Sequence, residues 1–128
     1  MKYLFFYCHE EKKFDSMPKS EGDALMNETL TYCETLKRSG HLIVAKPLEP
    51  IQMAVTVRVR NGGLSLTDGP FAETMEQIGG FFLIEARDIN EADQIASRFP
   101  SVRLGSMEVR PVRDLLRQGI EAESWHDA

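Results

Sequence analysis

Lys2-Tyr3-Leu4-Phe5-Phe6-Tyr7-Cys8 is aromatic-rich and apolar at both odd and even positions. Successive side chains of a strand point to opposite faces, so such a run reads as a central strand with both faces covered. Gly79-Gly80-Phe81-Phe82-Leu83-Ile84 has the same two-sided character and continues as a strand to Ala86. Between them, Leu25, Met26, Leu30, Cys33 and Leu36 recur at helical spacing. Ser20 with Asp23 offers a capping box for that helix, and Gly40 stops it. His41–Leu48 is a second strand, closed by Pro47 and Pro50. Met53, Val55, Val57 and Val59 alternate with Ala54, Thr56, Arg58 and Arg60, which predicts a strand with one buried face. Asn61-Gly62-Gly63 supplies the positive φ angles of a hairpin turn, and Leu64–Thr67 returns. Asn90 caps a second helix whose Ala92, Ile95, Ala96 and Phe99 share a face, and Pro100 ends it. Met107–Val112 is the last strand, and Asp114–Trp125 offers a short terminal helix.

Reduced to essentials, the order is βαββαβ with an extra hairpin. It predicts a ferredoxin-like α+β fold in which two helices cover one face of an antiparallel sheet. Two helices cannot cover both faces, and the two-sided strands then require a partner sheet. A homodimer with two sheets packed face to face, a dimeric α/β barrel, is expected.

The 128 residues make one ordinary domain, with an apolar fraction of 42% and a charged fraction of 27% typical of globular proteins. The formal net charge of −5 argues against nucleic acid as a partner. No apolar run approaches the roughly 20 residues of a membrane span, so no membrane partner is expected. The apolar start is followed at once by His9, Glu10, Glu11, Lys12 and Lys13, unlike a signal peptide. Cys8 and Cys33 form no metal spacing and read as free thiols of a cytoplasmic protein.

The conspicuous loop is Thr67-Asp68-Gly69-Pro70-Phe71-Ala72-Glu73-Thr74. An Asp at a strand end can act as acid or base if burial tunes it, or its carboxylate can accept backbone N–H bonds within the turn. Gly69 supplies backbone freedom and Pro70 rigidity, giving the loop a fixed shape for ligand or for packing. Phe71 reads as a packing anchor or as a ring that stacks on a ligand. Glu73 and Glu76 share a face if Ala72–Gln77 forms a helical turn, as a carboxylate pair or as acids at a helix start. His9 and His41 lie at strand boundaries and are the proton-carrying candidates to set beside Asp68; His126 lies next to Asp127. Cys8 and His9 are neighbours on a strand and point apart, a poor nucleophile–base pair. Arg58 and Arg60 can meet an anionic ligand or pair with Glu85 or Glu108. Tyr3, Tyr7 and Tyr32 can donate to a ligand or sit in the core with a satisfied hydroxyl.

Asp68-Gly69-Pro70-Phe71-Ala72-Glu73-Thr74, followed by Glu76-Gln77 and Gly79-Gly80-Phe81-Phe82, resembles the signature of the DGPF branch of the YCII-related proteins. Met1-Lys2-Tyr3, Thr56-Val57-Arg58 and Gly105-Ser106-Met107-Glu108-Val109-Arg110-Pro111-Val112 extend the resemblance over residues 1–113, leaving 114–128 as a C-terminal extension. The resemblance implies a dimeric α/β barrel of ferredoxin-like subunits; a bacterial, cytoplasmic protein without a cofactor is expected. It implies no known substrate. Some YCII-like proteins carry a His–Asp pair in a cleft, with the His in the first helix. This chain has no His between Ser20 and Gly40. DGPF proteins are also often encoded beside extracytoplasmic-function sigma factors. Three functions follow as expectations. One is a small-molecule binding or regulatory module, with Gly69, Pro70, Phe71, Glu73, Arg58 and Tyr7 as ligand contacts. The second is a cofactor-free enzyme that moves a proton on a small cyclic or carbonyl compound through Asp68 with His9 or His41. The third is an interaction protein linked to a sigma factor.

Overall fold

The computed structural model describes residues 1–115. Its elements are β1 (Lys2–His9), α1 (Glu11–Asp15), α2 (Lys19–Arg38), β2 (Leu42–Pro47), β3 (Val55–Arg60), β4 (Gly63–Asp68), β5 (Gln77–Glu85), α3 (Ile89–Ser97) and β6 (Gly105–Pro111). Short 3₁₀ turns at Ile51–Met53 and Pro100–Leu104 precede β3 and β6. One antiparallel sheet has the order β2-β5-β1-β6, and among the described residues β3 pairs with β4 alone. Without the hairpin arm this is the ferredoxin-like order, with the two-sided strands β1 and β5 at its centre, as their composition requires.

The register decides which face each side chain serves. Phe5 lies opposite Phe82 and Val109, and Tyr3 lies opposite Ile84. These odd positions of β1 face the helices. Tyr3, Phe5 and Ile84 are buried with Leu36 of α2, Ala92, Ile95 and Ala96 of α3, and Phe99. Phe99 is the hub, with its ring 4.4 Å from Phe82, 4.8 Å from Tyr32 and 6.2 Å from Phe5. The Tyr32 hydroxyl donates to the Ile95 carbonyl at 2.8 Å, which joins α2 to α3. Burying a side chain of this size stabilises the fold by about 1.5–3 kcal/mol. The core therefore sits at the Tyr3–Phe5 half of β1. The same strand face continues outward to Tyr7 and His9, beneath the first half of α2.

Gly40 ends α2 as expected, at φ 81°. Gly40 N–H donates to Lys37 and His41 N–H to Leu36, the two bonds of a Schellman motif. Asn61 and Gly62, at φ 53° and 75°, form the two-residue hairpin turn. Other local expectations are corrected. α2 starts two residues earlier, after Pro18, with no side-chain cap, so Ser20 and Asp23 form no capping box. The cap of α3 is Asp88, whose carboxylate accepts from Glu91 N–H at 2.9 Å, rather than Asn90. The charged link after β1 holds the helix α1.

The largest correction concerns the hairpin. Val55, Val57 and Val59 lie opposite Asp68, Leu66 and Leu64, so the apolar residues of both strands share one face. That face is open within the chain, with exposures from 56% at Val55 to 69% at Leu64. Alternation correctly separated the two faces of β3 but could not say that a single chain buries neither. Among the described residues the ion pairs offered for the other face are absent too. Arg60 donates to its neighbour Val59, Glu85 pairs with the N-terminal ammonium and Glu108 with Arg110. The expected C-terminal helix and His126 lie outside the described residues, apart from the start at Asp114.

Candidate functional site

Beyond the core, the helix-facing side of the sheet borders a half-open cavity of about 310 Å³. Its floor is Tyr7 and His9 of β1, Gly79, Gly80 and Phe82 of β5, and Ala45, Lys46 and Pro47 of β2, with Leu48 just beyond. Its roof is one face of α2, formed by Leu25, Met26, Thr29, Leu30 and Cys33. Phe14 of α1 and Ser101 complete the wall. These α2 residues recur at three- and four-residue intervals, so one helix face supplies the roof and, one turn later, the core residue Leu36.

Three local features shape the floor. Phe82 is in register with Ala45, and Phe81 with Lys46, so β2 sends Ala45 toward the helices and the Lys46 side chain toward the opposite sheet face. The β1–β5 register slips between Tyr7 and Cys8, leaving Gly79 as the extra residue of a bulge. The His9 ring occupies the space above it, where a Cβ on Gly79 would collide with the imidazole. At Gly80, a Cβ would lie 3.1 Å from the Lys46 carbonyl oxygen. The paired glycines thus admit the His9 ring and keep part of the floor as bare backbone.

His9 is held by aromatic contact. Its ring stacks on Tyr7 at 5.2 Å with an interplanar angle of 8°, and Phe14 meets it edge-on at 6.0 Å. Glu11 fixes α1 by accepting from Ile51 N–H at 2.9 Å. The His9 Nδ1 is buried and has no hydrogen-bond partner, and neither has the Ser101 hydroxyl oxygen. Among the described residues these are the two buried side-chain polar atoms in that condition, and both residues line this one cavity. Nδ1 is the ring nitrogen pressed toward Gly79, and Nε2 lies farther from it. The Thr29 hydroxyl is already engaged, donating to the Leu25 carbonyl at 2.9 Å. Burial, then the charge of Glu76 and then Cys8 push the Tyr7 phenol up to about 12, so it is a neutral donor at ordinary pH. Burial and then Glu34 raise the Cys33 thiol, which keeps it protonated rather than a ready nucleophile.

Of the candidate site residues, His9 and Tyr7 line the cavity, whereas Asp68, His41, Gly69, Pro70, Phe71, Glu73 and Arg58 do not. Asp68 ends β4, and among the described residues no hydrogen bond or ion pair uses its carboxylate. Gly69, at φ 108°, closes the root of the hairpin, donating from N–H to Ala54 at 2.8 Å and accepting at its carbonyl from the Thr56 hydroxyl at 2.9 Å. Pro70 follows without a polar role. Phe71 is 76% exposed, so it is not the packing anchor that its apolar character suggested. Its ring lies under the Arg58 guanidinium, 5.4 Å from the centroid, and Arg58 Nη2 donates to its carbonyl at 3.5 Å. Ala72–Gln77 forms no helical turn, because the Gln77 side chain donates to the Ala72 and Thr74 carbonyls at 2.8 and 2.9 Å and holds the loop open. Glu73 is exposed, while Glu76 accepts from the Ser106 hydroxyl at 2.6 Å. No group of His, Cys, Asp and Glu among the described residues has the arrangement of a metal site.

His41 sits apart, between Ser39 at 2.6 Å and Glu91 at 3.4 Å. This has the order of a nucleophile–base–acid chain, but the Ser39 hydroxyl donates to the Leu36 carbonyl at 3.1 Å. A hydroxyl that gives its proton to a carbonyl accepts from the imidazole, so the chain ties the end of α2 to the start of α3. Sequence reasoning missed Ser101, Thr29, Phe14 and the glycines. The glycine pair was the available signal, since two adjacent residues without side chains leave room in a buried strand.

A model of the YCII-related domain matches residues 1–116. The chain belongs to the YCII-related domain family. This YCII-related chain is 32% identical over 114 residues to uncharacterized protein R00369 of Rhizobium meliloti (strain 1021), covering 88% of this chain and 92% of that one. It also resembles a solved structure of 5-chloro-2-hydroxyhydroquinone dehydrochlorinase (TftG) from Burkholderia phenoliruptrix AC1100, in complex with 2,5-dihydroxybenzoquinone. The TM-score is 0.53 at 16% identity, over 88% of this chain and 94% of that one. The likeness shows that the YCII-related chain shares its ferredoxin-like fold. No helix among the described residues is long and apolar enough to cross a membrane.

Proposed function

We propose that this YCII-related chain, of DGPF type, is a homodimeric small-molecule binding module of the cytoplasm whose ligand occupies the cavity under α2. One observation carries the reading. The cavity is lined mainly by apolar groups, with the His9 ring and the unpartnered Ser101 hydroxyl among its few polar ones. Apolar lining with a few convergent polar groups is the usual character of a ligand site. The complex of TftG with a small ring compound supports it, since the same fold makes room for such a molecule there. A homodimer fits the hairpin, because a two-stranded ribbon with five exposed aliphatic residues on one face is marginal until something covers it. The free thiols Cys8 and Cys33 fit a reducing compartment.

A second reading is favoured by the imidazole itself. His9 is the histidine of the cavity, and a histidine can take or give a proton near neutral pH. A cofactor-free proton transfer would then run through His9 beside the neutral Tyr7 phenol, without Asp68 or His41. Differential scanning fluorimetry of the parent and Cys33→Phe against small ring compounds tests the site, because the new ring fills the cavity. Ligands that raise Tm in the parent and not in Cys33→Phe are expected. A parent that responds to none, or a variant that responds equally, would remove the reading. Ligands that are chemically changed by the parent but not by His9→Gln would favour the enzyme.

A further inference from the structure

We infer that the cavity takes a neutral, flat compound of one or two rings bearing a hydroxyl, with that hydroxyl bonded to the His9 imidazole. The inference rests on the cavity being the ligand site and adds the chemistry of what it holds. Size gives the first limit. An apolar cavity of about 150 Å³ takes a benzene ring. The volume of about 310 Å³ here is roughly twice that, room for a two-ring system or a substituted single ring.

Charge gives the second limit. Among the described residues neither a carboxylate nor an arginine lines the cavity, and the lysine on the wall, Lys46, directs its side chain to the other sheet face by register. An anion placed here would lose part of its hydration with no fixed cation to replace it, and an unpaired charge in apolar surroundings is costly. A neutral hydroxyl needs one partner, and the His9 ring supplies it. Nδ1 is enclosed against Gly79, so Nε2 is the nitrogen left for a ligand. Imidazole can accept from a hydroxyl or donate to it according to tautomer, so a phenol or an enol is satisfied either way.

Shape gives the third limit. The parallel Tyr7–His9 stack, the edge of Phe14 and the bare backbone at Gly80 border a space that suits a planar ring better than a branched chain. Ser101, 9% exposed and unpartnered, offers a second hydroxyl at the wall for a ligand with another polar substituent.

The test is a protein-observed NMR titration of the intact chain with 2-naphthol, naphthalene and 2-naphthoate, which share one ring frame. All three shifts are followed at Thr29, Cys33, Gly79 and Gly80. The expected result is a Kd for 2-naphthol at least about fivefold below that of naphthalene, the worth of one hydrogen bond. It should also lie at least about tenfold below that of 2-naphthoate. In His9→Phe, which keeps a flat ring, the advantage of 2-naphthol over naphthalene is expected to vanish. Should that variant fail to fold, the series on the parent decides alone. A naphthoate that binds as tightly as naphthol overturns the neutral class. Equal binding of naphthol and naphthalene overturns the hydroxyl contact while leaving the cavity as a ligand site. If none of the three moves the cavity resonances, the proposed site itself falls.

Discussion

Replacing Gly79 by Ala isolates one contact on which the cavity floor depends. The backbone there does not occupy the left-handed region, so alanine carries no φ penalty. Its Cβ instead meets the His9 ring, which the Tyr7 stack and the Phe14 edge hold from other sides. Overpacking of this kind costs about 1–3 kcal/mol. With a urea m-value near 2 kcal/mol/M, the midpoint should fall by about 0.5–1.5 M at unchanged m. The companion variant is His9→Ala, which removes the obstacle. In that background the same substitution should be neutral or even stabilising by up to about 1 kcal/mol, because glycine inside a strand is itself unfavourable. The double-mutant cycle should therefore close with a coupling of about 2 kcal/mol. Equilibrium urea unfolding of the four proteins measures it. A cost for Gly79→Ala that is the same in both backgrounds, within about 0.5 kcal/mol, would refute the claim that Gly79 exists to seat the His9 ring.

Phe99→Ala should cost about 3–5 kcal/mol in urea unfolding, since it removes the hub that meets Phe5, Tyr32 and Phe82. Glu91 is held below its ordinary 4.5, chiefly by the Arg87 N–H, with Arg87 and His41 charges adding to it. A carboxylate depressed in the folded state contributes stability above its unfolded pKa and loses it as pH falls through the folded value. Glu91→Gln should accordingly lower the urea midpoint at pH 7, with the gap to the parent closing below about pH 4. Val57→Lys, on the open hairpin face, should leave the fold of one chain within about 0.5 kcal/mol while shifting sedimentation toward monomer. A parent that is already monomeric at micromolar concentration would remove the dimer.

The fold was readable because its strongest signals are local. Two-sided apolar runs at Lys2–Cys8 and Gly79–Ile84 mark central strands, Gly40 can end a helix at positive φ, and Asn61-Gly62 can make a tight hairpin. The helix caps were misread because Ser20 and Asn90 look like caps while Pro18 and Asp88 set the actual starts. The hairpin was misread because an apolar stripe records that a face is to be covered, not by what. The site was less readable still. The loop at Asp68 draws attention by composition, whereas the cavity is assembled from β1, α1, α2, β2, β5 and a 3₁₀ turn far apart along the chain. Tyr7 and His9 could be picked out as polar rings at a strand end. Ser101 could not, because a lone serine after Pro100 carries no sign of being buried without a partner.

Adjacent positions on β1 divide the two sides of the sheet, and the two cysteines inherit that division. Cys8 pairs in register with Ile78 and Ser106 on the side away from the helices, while Cys33 points from α2 into the cavity. Burial raises both thiols, so each is slow to react and sensitive to any further covering. The chain thus carries two native reporters that answer different questions. Occupation of the cavity should slow alkylation at Cys33 alone, and association through the sheet should slow it at Cys8 alone, so one mass-spectrometric time course can tell a ligand from a partner.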